Sequence, residues 1–309
     1  MSAPPSHPDE FPPLGEQSEL PYSKGLLARA LTATGLPTMR AYELARRAEE
    51  DLAQRGAAGI DLERLEELAR EVLGDEEGSA AIRMLRLYRE FKALDLPIFV
   101  FVGGGTGSGK SRVATEVAYR LGITRVTSTD VIRHTMRAFF SERFMPTIHY
   151  SSFEAGRGDW AAQDEEPVLA GFLDQTRNVL VGVGAVIDRA LQERWSIVLE
   201  GVHLVPGLLP PIEGALTVHC VLHIGDREAH ASHFWVRDAA SEGMRPVQRY
   251  LDALDDIRLL QGAIVERAER CGVPVIENTD IERTVATVMA LVLESVEARR
   301  GVVAGGAGV

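Results

Sequence analysis

The apolar positions divide the chain into two textures. Between residues 21 and 92 they recur at helical spacing. Leu26, Leu27, Ala30 and Leu31 share one face, and Tyr42, Ala45, Ala48 and Leu52 share another. A third stripe runs through Leu62, Leu65, Leu68 and Val72, and a fourth through Ala81, Leu85, Tyr88 and Phe91. Thr38 and Asp61 stand where helix N-caps are expected, and Gly56 stands where a helix should stop. Short amphipathic helices in series predict a small all-α domain over residues 20–95, closed by the junction Leu94-Asp95-Leu96-Pro97.

Beyond Pro97 the pattern changes. Ile98–Val102 is continuously apolar and rich in β-branched residues, as expected of a strand buried on both faces of a parallel sheet. Similar runs recur at Ile123–Thr127, Ile197–Leu199, Val218–Ile224 and Val273–Ile276. Helical stretches separate them: Ser111–Leu121, Pro167–Arg194, Pro246–Arg270 and Ile281–Arg299. Alternating strand and helix predicts an α/β domain over residues 96–299, with a parallel sheet and crossover helices. The proline-rich start, residues 1–19, and the glycine-rich end, residues 300–309, are expected to be disordered or flexible tails.

Charge narrows the partners. Of the 309 residues, 45 are acidic and 33 basic, a net charge of -12. That balance argues against nucleic acid and against a membrane surface, both of which need basic patches. An anionic small substrate must therefore be caught by a local cluster of cations. Cys220 and Cys271 are too few for a disulfide framework and lack metal-ligand spacing, so they read as buried small hydrophobes. No apolar run approaches the roughly 20 residues that span a bilayer, and nothing resembles a signal peptide. The expected location is the cytoplasm.

The candidate chemistry begins directly after the first strand. Gly104, Gly105, Thr106, Gly107, Ser108, Gly109, Lys110 and Ser111 complete the pattern G-x-x-x-x-G-K-[ST], and Arg112 follows. A glycine-rich loop between strand and helix turns its N–H groups into an anion nest, and the helix N-terminus adds its dipole. Lys110 is expected to bridge the β- and γ-phosphates of ATP, and Ser111 to ligate Mg²⁺. No N-K-x-D segment for reading guanine is present. Ile197-Val198-Leu199-Glu200-Gly201 ends in a carboxylate, in the manner of small-molecule kinases more than of motor ATPases. Glu200 is therefore expected near Mg²⁺, water or substrate, the alternative being a plain strand-end carboxylate.

Asp130 follows the second strand, where such kinases place a carboxylate facing the acceptor hydroxyl. It could equally cap a helix over Val131–Phe140, and the two roles are compatible. Just beyond it Arg133, His134 and Arg137 recur on one helix face, followed by Arg143 and His149. This is the local basic cluster of an acidic chain, with Arg133, Arg137 and His149 as candidate acceptor contacts. Phosphoryl transfer also needs cations over the donor. Arg227, Arg237, Arg245, Arg249 and Arg258 supply them; Arg237 and Arg245 flank a Ser241-Glu242-Gly243 turn that suits a lid. His219, His223, His230 and His233 lack the focus of a zinc site and read as surface or core residues, and Trp160 and Trp195 as packing residues.

Several longer segments resemble the 2-phosphoglycerate kinase family: VGGGTGSGKS, ITRVTSTDVIR, PTIHYSSFEAG, IVLEGVHLVPG, RPVQRYLDALDDIR and VPVIENTDIERTV. The resemblance covers about residues 20–298 and implies the P-loop kinase three-layer fold. It implies ATP and 2-phosphoglycerate as substrates and 2,3-bisphosphoglycerate as product. On this reading Asp130 orients or deprotonates the acceptor hydroxyl, while Lys110, Mg²⁺ and the lid arginines offset charge. The segment PYSKGLLARALTATGLPTMRAYELARRAEEDL is similar to an ATP-cone domain, in which Ser23 and Lys24 would meet a phosphate. The preceding start lacks the basic strand pair of such domains, so the helices could instead form a docking module for a homo-oligomer. Two other functions remain compatible with the residues alone. One is a kinase of this fold acting on an inositol phosphate or nucleoside; the other is a regulatory ATP-binding switch without an acceptor.

Overall fold

A computed structural model describes residues 22–157, 166–240 and 247–306; for 237–240 and 300–306 it describes only the backbone. The chain forms two compact units. One comprises the described residues up to Asp95 together with those from Val285 onward, and the other comprises Leu96–Thr284.

The helical unit contains α1 (Lys24–Ala33), α2 (Thr38–Arg55), α3 (Leu62–Leu73) and α4 (Asp75–Lys92). Asp61 caps α3, its Oδ1 accepting from Arg64 N at 2.7 Å, and Gly56 ends α2 in the left-handed region. Thr38 is the first helical residue rather than the cap: Pro37 precedes it with no side-chain bond. The carboxylate of Asp51 on α2 is buried between Arg55 and Arg64, at 2.7 and 2.6 Å. Ser23 is used as the N-cap of α1, and Lys24 pairs with Glu49 at 2.8 Å beneath the Tyr42 ring. Both residues expected to meet a phosphate are thus engaged within the unit.

In the second unit, β1 (Ile98–Gly104) leads into α5 (Lys110–Leu121), followed by β2 (Val126–Ser128) and α6 (Thr129–Arg137). A 3₁₀ turn at Pro146–His149 precedes α7 (Pro167–Gln192), β3 (Ile197–Glu200) and β4 (Leu216–His223). Then come α8 (Arg227–Ala240), α9 (Val247–Asp252), α10 (Leu254–Arg270) and β5 (Val275–Glu277), and α11 (Ile281–Gly306) runs on into the helical unit.

The strands form one parallel sheet in the order β2-β3-β1-β4-β5. β1 is buried along its whole length, as its unbroken apolar run requires. Phe99 and Phe101, in register with Ile197 and Leu199, face Val179, Val183 and Ile187 of α7. Val221, in register with Gly103, packs with Ile257, Leu260 and Ile264 of α10 on the same face. Val100, Val102 and Val198 alternate to the opposite face, and α5 runs along β1, β2 and β3 with Val113, Val117 and Leu121 buried. Helices thus cover both faces of a parallel α/β sheet, and the ends of β1, β2 and β3 deliver the functional loops to one edge.

Several boundaries differ from those expected from sequence, and Cys271, expected buried, is exposed just past α10 while Cys220 is buried. Ile123 spends its N–H on Ala118 O at 2.8 Å, closing α5 at the left-handed Gly122, so β2 starts only at Val126. The stretch ending at Arg270 breaks at Ala253, where Asp255 and Asp256 favour a fresh N-terminus. Helix α11 continues through Gly306, past the start of the expected flexible tail. From Val285 on it groups with the helical unit: Val285, Val288, Met289, Val292, Leu293 and Val296 form one buried stripe, and Glu297 pairs with Arg83 at 2.5 Å. The expected disordered start, residues 1–19, lies outside the described residues.

Candidate active site

The loop from Gly104 to Lys110 is held from behind by its own carbonyls. His230 Nε2–H donates to Thr106 O at 2.8 Å, and His233, one turn further along α8, donates from Nδ1 to Gly107 O at 3.1 Å. Asn278, just past β5, donates from Nδ2 to Ser108 O at 2.9 Å, and its Oδ1 accepts from Thr284 Oγ1 at 2.9 Å. In a planar trans peptide the N–H points opposite to the C=O. Tying the Thr106 and Ser108 carbonyls outward therefore aims the N–H groups of Gly107 and Gly109 into the concave side as an anion nest, while the N–H of Ser108 turns back to Gly105 O at 3.3 Å. Gly109 sits at φ 84°, and a Cβ there would lie 2.3 Å from Asn278 Nδ2, so only glycine fits.

Lys110 opens α5 and is buried, its Nζ donating to Gly105 O at 2.5 Å. Burial pushes the ammonium below its usual range, and the carboxylates of Glu200 and Asp130 oppose that push. The next residue, Ser111, donates from Oγ to Glu200 Oε1 at 2.9 Å. Glu200 ends β3, buried, beside β1 and β2. A hydroxyl and a carboxylate at a helix N-terminus are hard oxygen donors suited to Mg²⁺, which is usually held by one or two protein oxygens together with phosphates. The described residues contain no group of three or more His, Cys, Asp or Glu able to hold a metal on its own. Arg112 lies exposed on the first turn of α5. Thr106 Oγ1 lies 3.3 Å from the buried Ser152 Oγ.

On the other side of Glu200 stands Asp130. It is not the cap of α6; Ser128 is, its Oγ accepting from Val131 N at 3.1 Å. Asp130 lies in the first helical turn with its carboxylate 65% exposed and Oδ1 3.4 Å from Arg133 Nε. Arg133 is mostly buried and gives its Nη1 to Ile148 O and Tyr150 O, at 2.9 and 2.7 Å. His149 gives Nε2–H to Phe140 O at 2.9 Å. Arg133 and His149 thus brace the turn at residues 146–150. Arg137, His134 and Arg143 are exposed, and Arg137 makes no ion pair among the described residues.

The other arginines separate by partner. Arg227 pairs with Asp255, and Arg249 clamps Glu154 and Ser151. Arg258 donates to Gly225 O at 2.9 Å. Only the backbone of Arg237 is described, within α8; Arg245, the 241–246 turn and Trp160 lie outside the described residues. The described lid candidates are therefore engaged with protein partners.

Sequence reasoning missed the residues that support these loops: His230, His233, Asn278, His203 and Gln175. A signal existed for the first two. His230 and His233 are three apart, hence on one helical face, shortly after a strand that must end near the phosphate loop.

No family model matches the chain. Curated relatives match nearly all of it. A 2-phosphoglycerate kinase from Pyrococcus horikoshii is 34% identical over 93% of this chain and 95% of its own. One from Methanopyrus kandleri is 37% identical over 89% of this chain and 84% of its own. One from Thermococcus kodakarensis is 34% identical over 90% and 94% respectively. With a glycine loop on a parallel sheet, a lysine and a serine at the helix start, and carboxylates at two strand ends, the chain belongs to the 2-phosphoglycerate kinase family.

Proposed function

We propose that this protein transfers the γ-phosphoryl group of MgATP to the hydroxyl of 2-phosphoglycerate, giving ADP and 2,3-bisphosphoglycerate. Family membership over about nine-tenths of the chain carries the reading. The loop geometry supports it.

The N–H groups of Gly107 and Gly109 receive the phosphate oxygens of the nucleotide, and the α5 dipole adds to their attraction. Lys110 moves from Gly105 O to the β- and γ-phosphates, exchanging a neutral acceptor for a charged one. Ser111 and Glu200 would hold Mg²⁺, which would supply positive charge against the charge developing on the transferred group. Asp130 accepts the proton of the acceptor hydroxyl as its oxygen bonds to phosphorus and the bond to the ADP oxygen breaks. Arg133 orients that carboxylate. Arg137, exposed on α6, meets the phosphate already present on the acceptor, and Arg237 and Arg245 remain candidates, from their place in the sequence, for further cations at the donor. Consumption of ATP and a buried free thiol at Cys220 both fit the cytoplasm.

The test is phosphorus NMR of purified protein with MgATP and 2-phosphoglycerate. Signals of 2,3-bisphosphoglycerate and ADP should grow together, and Lys110→Ala should abolish both. No bisphosphoglycerate, with turnover of an inositol phosphate or nucleoside instead, would replace the acceptor; binding of ATP with no turnover on any would leave a switch.

A further inference from the structure

Three polar side chains with no role assigned above form a buried chain between the end of β3 and the turn at 146–150. His203, fully buried, has Nδ1 2.8 Å from Thr129 Oγ1 and Nε2 2.9 Å from Gln175 Oε1. Gln175 donates from Nε2 to Thr147 O at 2.5 Å and to Tyr150 O at 3.0 Å. The protons follow by elimination. Two carbonyls can only accept, so Gln175 turns its amide nitrogen to them and its oxygen to His203. An oxygen facing Nε2 requires Nε2–H. Burial keeps the ring neutral, so Nδ1 carries the lone pair and the Thr129 hydroxyl donates to it. Donation therefore runs in one direction, from Thr129 through His203 and Gln175 to the turn.

Both ends of this chain matter to the reaction. Thr129 precedes Asp130, and its Oγ1 lies 1.8 Å from where a Cβ on Gly201 would stand, directly after Glu200. That glycine, at φ 154°, is what allows the start of α6 to approach the end of β3 so closely. At the other end, the turn also receives Arg133 Nη1 on Ile148 O and Tyr150 O. Among the described residues, none of Thr129, His203 and Gln175 hydrogen-bonds to the phosphate loop.

We propose that His203 is a positioning residue that, through Thr129 and Gln175, holds the acceptor turn at residues 146–150 in register with Asp130 and the end of β3. The proposal rests on the reading of 2-phosphoglycerate as acceptor. Its effect falls on the acceptor side, since the donor loop has its own supports in His230, His233 and Asn278.

The test separates hydrogen bonding from packing. Thr129→Val keeps the shape and removes the donor, leaving Nδ1 unpaired; Thr129→Ser keeps the donor. Thr129→Val and Gln175→Met should raise KM for 2-phosphoglycerate by about tenfold, while KM for ATP stays within about twofold. Thr129→Ser should recover most of the loss. Without any substrate, hydrogen–deuterium exchange at residues 146–150 should quicken in the first two variants while residues 103–111 keep their protection. Equal behaviour of the Val and Ser variants, or a parallel rise in both KM values, overturns the proposal. If Gln175→Met fails to bind MgATP, Gln175→Glu removes the same two donors and carries the same expectation. Absence of 2-phosphoglycerate turnover by the wild type defeats the acceptor reading alone. The exchange comparison then decides the positioning role by itself, and unchanged exchange in Thr129→Val refutes it.

Discussion

Ser111 and Glu200 are 89 residues apart in sequence, yet the serine hydroxyl donates to the carboxylate across 2.9 Å. The contact joins the first turn of the helix after the phosphate loop to the last residue of the neighbouring strand. Glu200→Gln keeps an acceptor for Ser111 and removes the charge. Steady-state kinetics should show kcat falling by about a hundredfold or more. A titration should show the magnesium requirement moving to higher concentration, and a thermal melt should show little change. Chelation of the metal should abolish wild-type activity, and added Mg²⁺ should restore it. Full activity in Glu200→Gln would remove this residue from the metal site.

His230 gives a different signature. It hydrogen-bonds Thr106 O from outside the loop and stacks on Phe234, with ring centroids 5.5 Å apart. His230→Leu leaves that carbonyl without its donor and loosens the nest. KM for ATP should rise by about tenfold, with KM for 2-phosphoglycerate steady, the reverse of the split expected for Thr129→Val. Isothermal titration with MgATP alone checks the first half, and unaltered affinity would show that the loop keeps its shape without the histidine.

Arg137 distinguishes the charge of the acceptor from its shape. Its guanidinium is exposed on α6, whereas that of Arg133 is engaged with two carbonyls. Arg137→Met should raise KM for 2-phosphoglycerate by about tenfold and leave KM for ATP in place. The wild-type KM for the acceptor should climb with added salt more steeply than that of the variant. Identical salt slopes would take Arg137 out of the acceptor site.

These contacts mark how far the sequence could be read. The phosphate loop and the strand before it are contiguous, so spacing and an apolar run identify both. The placement of Asp130 and Glu200 beside the loop was legible because one stands just past β2 and the other ends β3, at the same edge of a parallel sheet. Asn278 meets the loop across 170 residues and His230 across 124, and no periodicity encodes such meetings. Arg133 illustrates the opposite failure. Its helical face was evident, but the two backbone carbonyls that hold its Nη1 belong to a turn that the sequence does not orient.

Buried histidines set a pH dependence of stability. Burial lowers His203 to about 3 and His219 to about 4, against about 6.5 in an unfolded chain. Between those limits the unfolded state binds protons that the folded state refuses, so stability is complete above pH 6.5 and falls on acidification. The slope is about 1.4 kcal/mol per pH unit for each histidine. Paired carboxylates such as Asp51, held low by its hydrogen bonds from Arg64, contribute further loss only nearer pH 4. Urea denaturation from pH 7 to 5 should show this decline, and His203→Gln or His219→Gln should flatten it. A wild-type stability independent of pH over that range would contradict the assignment.

The hydroxyls of Thr106 and Ser152 stand 3.3 Å apart, one in the glycine-rich loop proposed for the donor and the other just after the 146–150 turn proposed for the acceptor. Linkage between two ligands is reciprocal. Whatever free energy passes through this contact when one substrate seats must alter the affinity for the other by the same factor. The order in which substrates bind cannot change that factor. A shortage of either substrate would then change the enzyme's hold on the plentiful one by that same factor.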